Sequence, residues 1–508
     1  MGREPTLCVF AVGLSATGPS AVLGVVCKIR DKRAVRLNIR CGEVMGCGAG
    51  MTAPVTRKRK RLMDSAGLLT RLERDGVEGL WTVYHDYGGR ACAKTIPKEQ
   101  FAKAVERGVV FARANLNFTL DNHQAAGATF LAHTGDFLAV PDPASYAVLP
   151  HHPATARVHV FMRADDGSEW EGCPRTRLQR MIAAYAEKGL SVRAGFEPEF
   201  ILFRQTGDGE YAPADNDGMF TLAGLDRHHE LLQEAISNLR AMGVMVEQFG
   251  KEYGPGQYEG TPRYAELPKA VDDYLTFKEV VRSLARKAGL IATFMPKPYA
   301  HLAGSGLHVH LSLWDLEGAR DLSVGERDDE PLSPLAGHFV AGLLAHAPAL
   351  TGVGSPIVNS YKRLQPGSWA PAHICWGVGN RAALARVPGM GERRHIEYRS
   401  GDNSTNGFLY LTALLAAGLD GIERETELPP PASEDVGHLS DAEAEARGLT
   451  FLPRSLPEAL DAMERDPVVV EALGPIIASE FLKVKRTELA AYDLEVHPWE
   501  RQMYLEVI

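Results

Sequence analysis

The chain has 508 residues, 45% hydrophobic and 23% charged, with a formal net charge of -9 and an isoelectric point near 6.0. That is enough apolar material for substantial cores and two or more domains, and it excludes a disordered chain. The acidic balance argues against nucleic acid as the main partner, because phosphate recognition needs a concentrated cationic surface.

Residues 1 to about 62 differ in composition from the rest of the chain. They hold four of the seven cysteines and show no clear amphipathic period, so we read residues 1–62 as an extension outside the fold, with Met51 as an alternative start. The apolar stretch from Cys8 to Cys27 contains glycines, serines and Pro19 and lacks a small-residue cleavage site, which argues against a signal peptide. The basic run Arg57 to Arg61 reads as a solvated leader, and the opening Met-Gly-Arg-Glu-Pro-Thr fits a myristoylation pattern short enough to arise by chance. The cysteines are odd in number and include no CxxC pair, which fits a reduced cytoplasm. No stretch of about eighteen uninterrupted apolar residues is present, so no membrane partner is expected.

From residue 66 the pattern is that of a folded domain. Ala66 to Asp75 has helical period, Gly76 to His85 reads as a strand, and Asp86-Tyr-Gly-Gly as its turn, opening a small sheet domain over 66–165. Asp165-Asp-Gly is a turn, and Pro174 to Lys188 has helical spacing with a first-turn proline. There are no internal repeats. Residues 170–508 then carry four groups of chemistry-bearing side chains.

The first is Glu197-Pro-Glu199-Phe-Ile-Leu-Phe, a strand on which both acids share one face. Adjacent carboxylates repel unless a cation or proton lies between them, although by itself such a pair is more often a solvated face. In Lys251-Glu252-Tyr-Gly-Pro-Gly-Gln257-Tyr-Glu259 a glycine- and proline-rich bend brings two acids toward one pocket; alone it would read as a surface loop. In Gly304-Ser-Gly306-Leu-His308-Val-His310-Leu-Ser312 the two histidines and the serine share a strand face, a pattern of ligands or phosphate contacts. Last come Asn359-Ser-Tyr-Lys-Arg363, Asn380-Arg381, Arg386 and His395-Ile-Glu397-Tyr-Arg399. Arginines in such number are usually surface residues, yet an anionic substrate site uses them to grip carboxylates and phosphates in pairs of bonds.

In this order, with Thr293-Phe-Met-Pro-Lys-Pro298 between the second and third and His497-Pro-Trp-Glu at the end, the motifs resemble the glutamine synthetase family over roughly residues 70–508. The resemblance implies an α+β fold: a small N-terminal β-grasp-like domain followed by a large catalytic α/β domain with a curved antiparallel sheet. It implies two or more Mg2+ or Mn2+ ions per site, one held by Glu199, Glu252 and Glu259 and another by Glu197, His308 and Glu397; hard oxygen ligands suit both metals. ATP would meet Glu247, His310, Ser312, Arg381 and Arg386, with the last two catalytic through charge stabilisation, and L-glutamate would meet Gly304, Arg363 and Arg399. It also implies a homo-oligomer, commonly a dodecamer of two rings with active sites between subunits.

The sequence departs from the family where ammonium would be bound and deprotonated. The flap Pro366-Gly-Ser-Trp369-Ala-Pro371 has Trp369 where a glutamate is expected, and Val110-Phe111-Ala112 has Ala112 where a small-domain aspartate is expected. Loss of both acids with every metal ligand kept resembles the γ-glutamylamide synthetases, which use alkylamines, polyamines, ethanolamine or arylamines. An ordinary glutamine synthetase with its proton acceptor elsewhere, and a non-catalytic family member, are the alternatives. The tyrosine motif used for adenylylation by some bacterial relatives is not evident between Pro429 and Pro453.

Overall fold

The predicted first helix spans Ser65–Arg74 (α1) and buries Leu68 and Leu72. It stops where Gly76 turns into the left-handed region (φ 62°) and the Val77 N–H bonds the Leu72 carbonyl. The strand read from Gly76 therefore begins at Gly79: β1 is Gly79–His85, followed by β2 (Ala91–Pro97), β3 (Val109–Ala112), β4 (Asp136–Pro141) and β5 (Thr155–Arg163). These pair in the order β2-β1-β5-β4-β3, with β1 and β5 parallel and the other pairs antiparallel.

The helix after the small sheet, α2, spans Pro174–Glu187 and feeds the sixteen-residue strand β6, Leu190–Gln205. Next come β7 (Val246–Lys251), β8 (Gln257–Pro262), helix α3 (Lys269–Lys287) and β9 (Leu307–Asp315). Helix α4 (Pro334–Ala345), strands β10 (Trp376–Val378), β11 (Ala385–Val387) and β12 (Ile396–Tyr398), and helix α5 (Gly407–Glu423) complete the part of the fold that frames the site. The large sheet runs β7-β8-β6-β9-β12-β11-β10, with three short strands added to β6. It is curved and antiparallel except at the β10–β11 edge, which is parallel. This α+β architecture is the one the resemblance implies.

The coordinates are a computed structural model that describes residues 65–508 except 208, 326, 328, 329 and 389–393. It also describes three short strands, Ala11–Gly13, Gly24–Cys27 and Val35–Asn38, which form an antiparallel sheet of their own. The rest of the extension expected over residues 1–62 lies outside the described residues.

Helix α3 backs the sheet: Tyr274 stacks on Phe196 of β6 with centroids 4.8 Å apart, and Phe277 meets Phe200 edge-on. Helices α4 and α5 are apolar nearly all round, as buried helices are. They cross so closely that a Cβ on Gly421 would lie 2.7 Å from the Cα of Gly342. At the junction with the small sheet, buried Arg175 of α2 donates to both oxygens of Asp272 (2.5 and 2.8 Å) and to Asp142 (2.6 Å). Cys92, Cys173 and Cys375 are free thiols. Among the described residues no single helix is long and apolar enough to cross a membrane.

Candidate active site

On β6 the alternation of the sequence becomes a division of faces. Phe196 and Phe200 enter the core, 1% and 0% exposed, while Glu197 and Glu199 stand half-buried in the cleft. The ladder sets their partners: Glu197 is opposite His308, Glu199 opposite Glu259, His310 opposite Glu397, and Glu397 opposite Arg386. Strands β6, β8, β9 and β12 thus supply one acidic face, with β11 adding Arg386 beside it.

Within it, His308 Nδ1 lies 3.4 Å from both Glu197 Oε2 and Glu397 Oε1, and His310 Nε2 lies 3.2 Å from Glu197. Ligand atoms of Glu197, Glu259 and His308 fall within 4.8 Å of one another, as do those of Glu197, His310 and Glu397. Glu199 accepts the Gly306 N–H (2.8 Å) and the Gln257 amide (3.2 Å), and that amide also donates to the Gly304 carbonyl (2.9 Å). The bend carrying Glu252 is propped from below by Lys251, wholly buried, whose Nζ donates to the carbonyls of Glu252 (3.0 Å) and Gly254 (2.6 Å). At Gly256, φ is 67° and a Cβ would sit 2.5 Å from the Leu202 carbonyl oxygen, so glycine is required there.

The charges divide the acids into two kinds. Burial would raise Glu397, but Arg399, His308, His310 and Arg386 outweigh it and hold it at about 2. Glu197 is likewise depressed, against its burial, by His310 and His308. Burial and then Glu199 push Glu252 up to about 7; burial and then Glu197, Glu199, Glu252 and Glu397 push Glu259 up to about 9. His310 is raised by Glu197 despite burial, and His308 is lowered by burial and Arg399.

The remaining predicted residues lie at different distances from this cluster. Arg386 donates to Glu397 (2.7 Å), Arg399 donates to the same carboxylate, and both keep a buried Nε without a hydrogen-bond partner. Arg363, 5% exposed, donates to the main-chain carbonyls of Ser400 and Gly401 (both 3.1 Å) and Arg399 (3.2 Å). It packs against Gly304, where an added Cβ would meet its Cγ at 2.9 Å. Ser312 accepts the Trp314 indole N–H (2.9 Å). Arg381 is exposed, and its charge acts favourably on Glu252. Glu247 is exposed and faces Arg263 at 3.7 Å, joined by no hydrogen bond or ion pair to the acidic cluster among the described residues. Trp369 is 73% exposed, and Ala112 ends β3 in the small sheet opposite Asp136. Gln257, Lys251 and Asn403 have parts that the sequence alone leaves unassigned: the Asn403 amide donates to the carbonyls of Glu199 (3.1 Å) and Gly306 (2.8 Å). His395, 2.7 Å from His310, is another.

The family profile described as "Glutamine synthetase, catalytic domain" matches residues 171–504. The chain belongs to the glutamine synthetase family. It is 37% identical over 447 residues to the glutamine synthetase of Halobacterium salinarum, covering 86% of this chain and 96% of that one. With the Pyrococcus abyssi glutamine synthetase it shares 38% over 411 residues, 81% and 90% of the two chains. Among solved structures it resembles GmaS in complex with ADP (TM-score 0.77, 33% identity, 86% of this chain and 99% of that chain). It also resembles a glutamine synthase homologue (TM-score 0.73, 30% identity, 83% and 96%). Enzymes of the glutamine synthetase family form C–N bonds at the expense of ATP and use divalent metals. The residues fit such ions: three carboxylates, Glu197, Glu259 and Glu397, and two imidazoles, His308 and His310, come together in two overlapping groups, and Glu252 and Glu259 are raised by burial and then by neighbouring carboxylates that an ion would neutralise.

Proposed function

We propose that the chain activates L-glutamate as γ-glutamyl phosphate with ATP and transfers the acyl group to an organic amine in preference to ammonia. The observation that supports this reading is the acidic cleft around Glu197, Glu259, Glu397 and the two histidines, together with an exposed Trp369 where the family pattern has a carboxylate. Glu199, Glu252 and Glu259 would hold one divalent ion, and Glu197, His308 and Glu397 another. When bound, the ions supply neutralisation of phosphate charge.

The chain's own groups would divide the remaining work. Gly304, Arg363 and Arg399 orient glutamate so that a side-chain carboxylate oxygen attacks the γ-phosphorus and ADP leaves. Arg381 and Arg386 stabilise charge on the transferring phosphoryl group, with Glu247, His310 and Ser312 on the nucleotide side. The amine nitrogen next attacks the acyl carbon, phosphate leaves and the amine gives up a proton. Ammonium needs an anionic group to bind and deprotonate it, whereas an apolar wall at Trp369 and the small Ala112 suit an organic amine. The working form would be a homo-oligomer, a dodecamer of two rings, with Ala112 reaching the large domain of the next copy.

The likeness to GmaS supports the organic-amine reading, while the relatives named glutamine synthetase favour ammonia. Steady-state assays with ATP, glutamate and ammonium, ethanolamine, putrescine or aniline separate the two. An organic amine with the highest kcat/KM is expected; ammonium as clearly the best substrate would overturn the reading.

A further inference from the structure

Away from the acidic cleft, a cavity of about 640 Å³ opens between the small sheet and helix α3. Its wall is cationic. Lys278, Arg282 and Arg286 recur at every fourth residue of α3 and so stand one above another on the side that lines it, while Arg90 on the sheet side is already paired with Asp86 at 3.0 Å. Like charges at that spacing destabilise a helix unless something neutralises them. Among the described residues the lining contains a single acid, Glu279, and that is already paired with Arg157 at 3.5 Å.

Three buried imidazoles in the lining, His85, His151 and His159, each keep one ring nitrogen without a hydrogen-bond partner. His159, 3% exposed, turns Nε2 to the Arg157 guanidinium, with the Asp272 carboxylate 3.6 Å from the same nitrogen, while its Nδ1 is buried with no hydrogen-bond partner. His85, 7% exposed, also has an unpartnered Nδ1. Burial, then the charge of Lys278, pushes His85 down to about 3, and burial, then Arg282, takes Lys278 down to about 7. Burial leads in both cases, and the neighbouring cations add to it.

The wall also connects to the catalytic strand. Lys278 Nζ donates to the Asn403 carbonyl (2.6 Å), and the Asn403 side chain holds the carbonyls of Glu199 and Gly306. We propose that the cavity is an effector site for a small anion bearing at least two negative charges, of the phosphate or dicarboxylate type, coupled to the acidic cleft through Asn403.

Calorimetric titration of the full chain with magnesium, at constant ionic strength, tests this with inorganic phosphate and succinate in separate arms and acetate as the monoanion. At least one dianion should bind about tenfold more tightly than acetate, and the arm that does so names the ligand class. Arg282→Gln with Arg286→Gln, both on the exposed side of the helix, should weaken that binding about tenfold, with the single Arg286→Gln change intermediate. The same anion should change kcat about twofold or more without raising KM for glutamate. Unchanged affinity in the double variant, acetate binding equally well, or purely competitive inhibition against glutamate would each overturn the proposal.

Discussion

Glu259 stands directly opposite Glu199 in the ladder between β8 and β6, so two carboxylates share one face of a half-buried cleft. Without a divalent ion this costs stability in a pH-dependent way. Glu252 rises to about 7 and Glu259 to about 9, against an ordinary value of 4.5. A carboxyl whose folded pKa is raised contributes stability below its unfolded value and loses it as pH climbs through the folded one. The metal-free Tm should therefore fall from about pH 4.5 up to about pH 9, and the gain on adding magnesium should widen over the same window as the ion replaces protons. Thermal melts in EDTA and in magnesium measure both; a metal-free Tm flat across that range would count against the assignment.

Arg175 sets the junction between the small sheet and α3. Arg175→Ala leaves Asp272 and Asp142 without their shared cation in a buried setting, which should cost about 3–5 kcal/mol. Asp142→Asn, which keeps the arginine and its paired bonds to Asp272, should cost well under half of that. Denaturant midpoints of the two variants check the ordering, and equal small losses would show that Arg175 is not the anchor.

The acidic face was legible because its placement is local. Phe196, Glu197, Pro198, Glu199 and Phe200 alternate, and a strand converts alternation directly into two faces; His308 and His310 obey the same rule. The late start of β1 escaped because a left-handed glycine at residue 76 ends α1 before the strand can begin. Asn403, Gln257 and Lys251 escaped for another reason. Their hydrogen bonds run largely to main-chain carbonyls that only the folded chain brings near, and an amide or ammonium carries no periodic signal of such a partner. Arg363 shows the limit of motif reading: it stands beside Gly304 as expected, yet its guanidinium also ties down Ser400 and Gly401.

His346 joins two elements through two carboxylates, Asp466 (2.6 Å) and Asp420 of α5 (3.1 Å). Burial alone would lower its pKa, but the bonds to Asp466 and Asp420 outweigh burial and raise it. Its contribution is therefore full below about 6.5 and fades as pH rises through the raised value. His346→Gln should destabilise by about 1.5–3 kcal/mol near pH 6 and by less near pH 9. The wild-type-minus-variant difference in unfolding free energy across that range isolates this residue from the cleft acids; a difference that grows with pH would reverse the sign.

Trp369 sits in the flap with φ 62°, a backbone conformation that bulky residues rarely adopt, and its ring is 73% exposed. The flap is pinned just before that strain, by the Ser368 hydroxyl donating to the Arg363 carbonyl (2.7 Å) and the Gly367 N–H donating to the Gly437 carbonyl (2.8 Å). Strain held in place by neighbouring bonds, on a side chain with little packing to lose, fits a residue kept for what it meets outside the chain. Trp369→Gly should leave stability unchanged or raise it by about 1 kcal/mol, since glycine accepts this φ freely, while lowering kcat/KM for the organic amine. Trp369→Glu, which returns a carboxylate to the flap, should raise the ratio of ammonium to organic-amine kcat/KM by about tenfold. If both variants keep the wild-type ratio, the flap residue does not select the amine, and selection must lie with Ala112 or with groups elsewhere in the site.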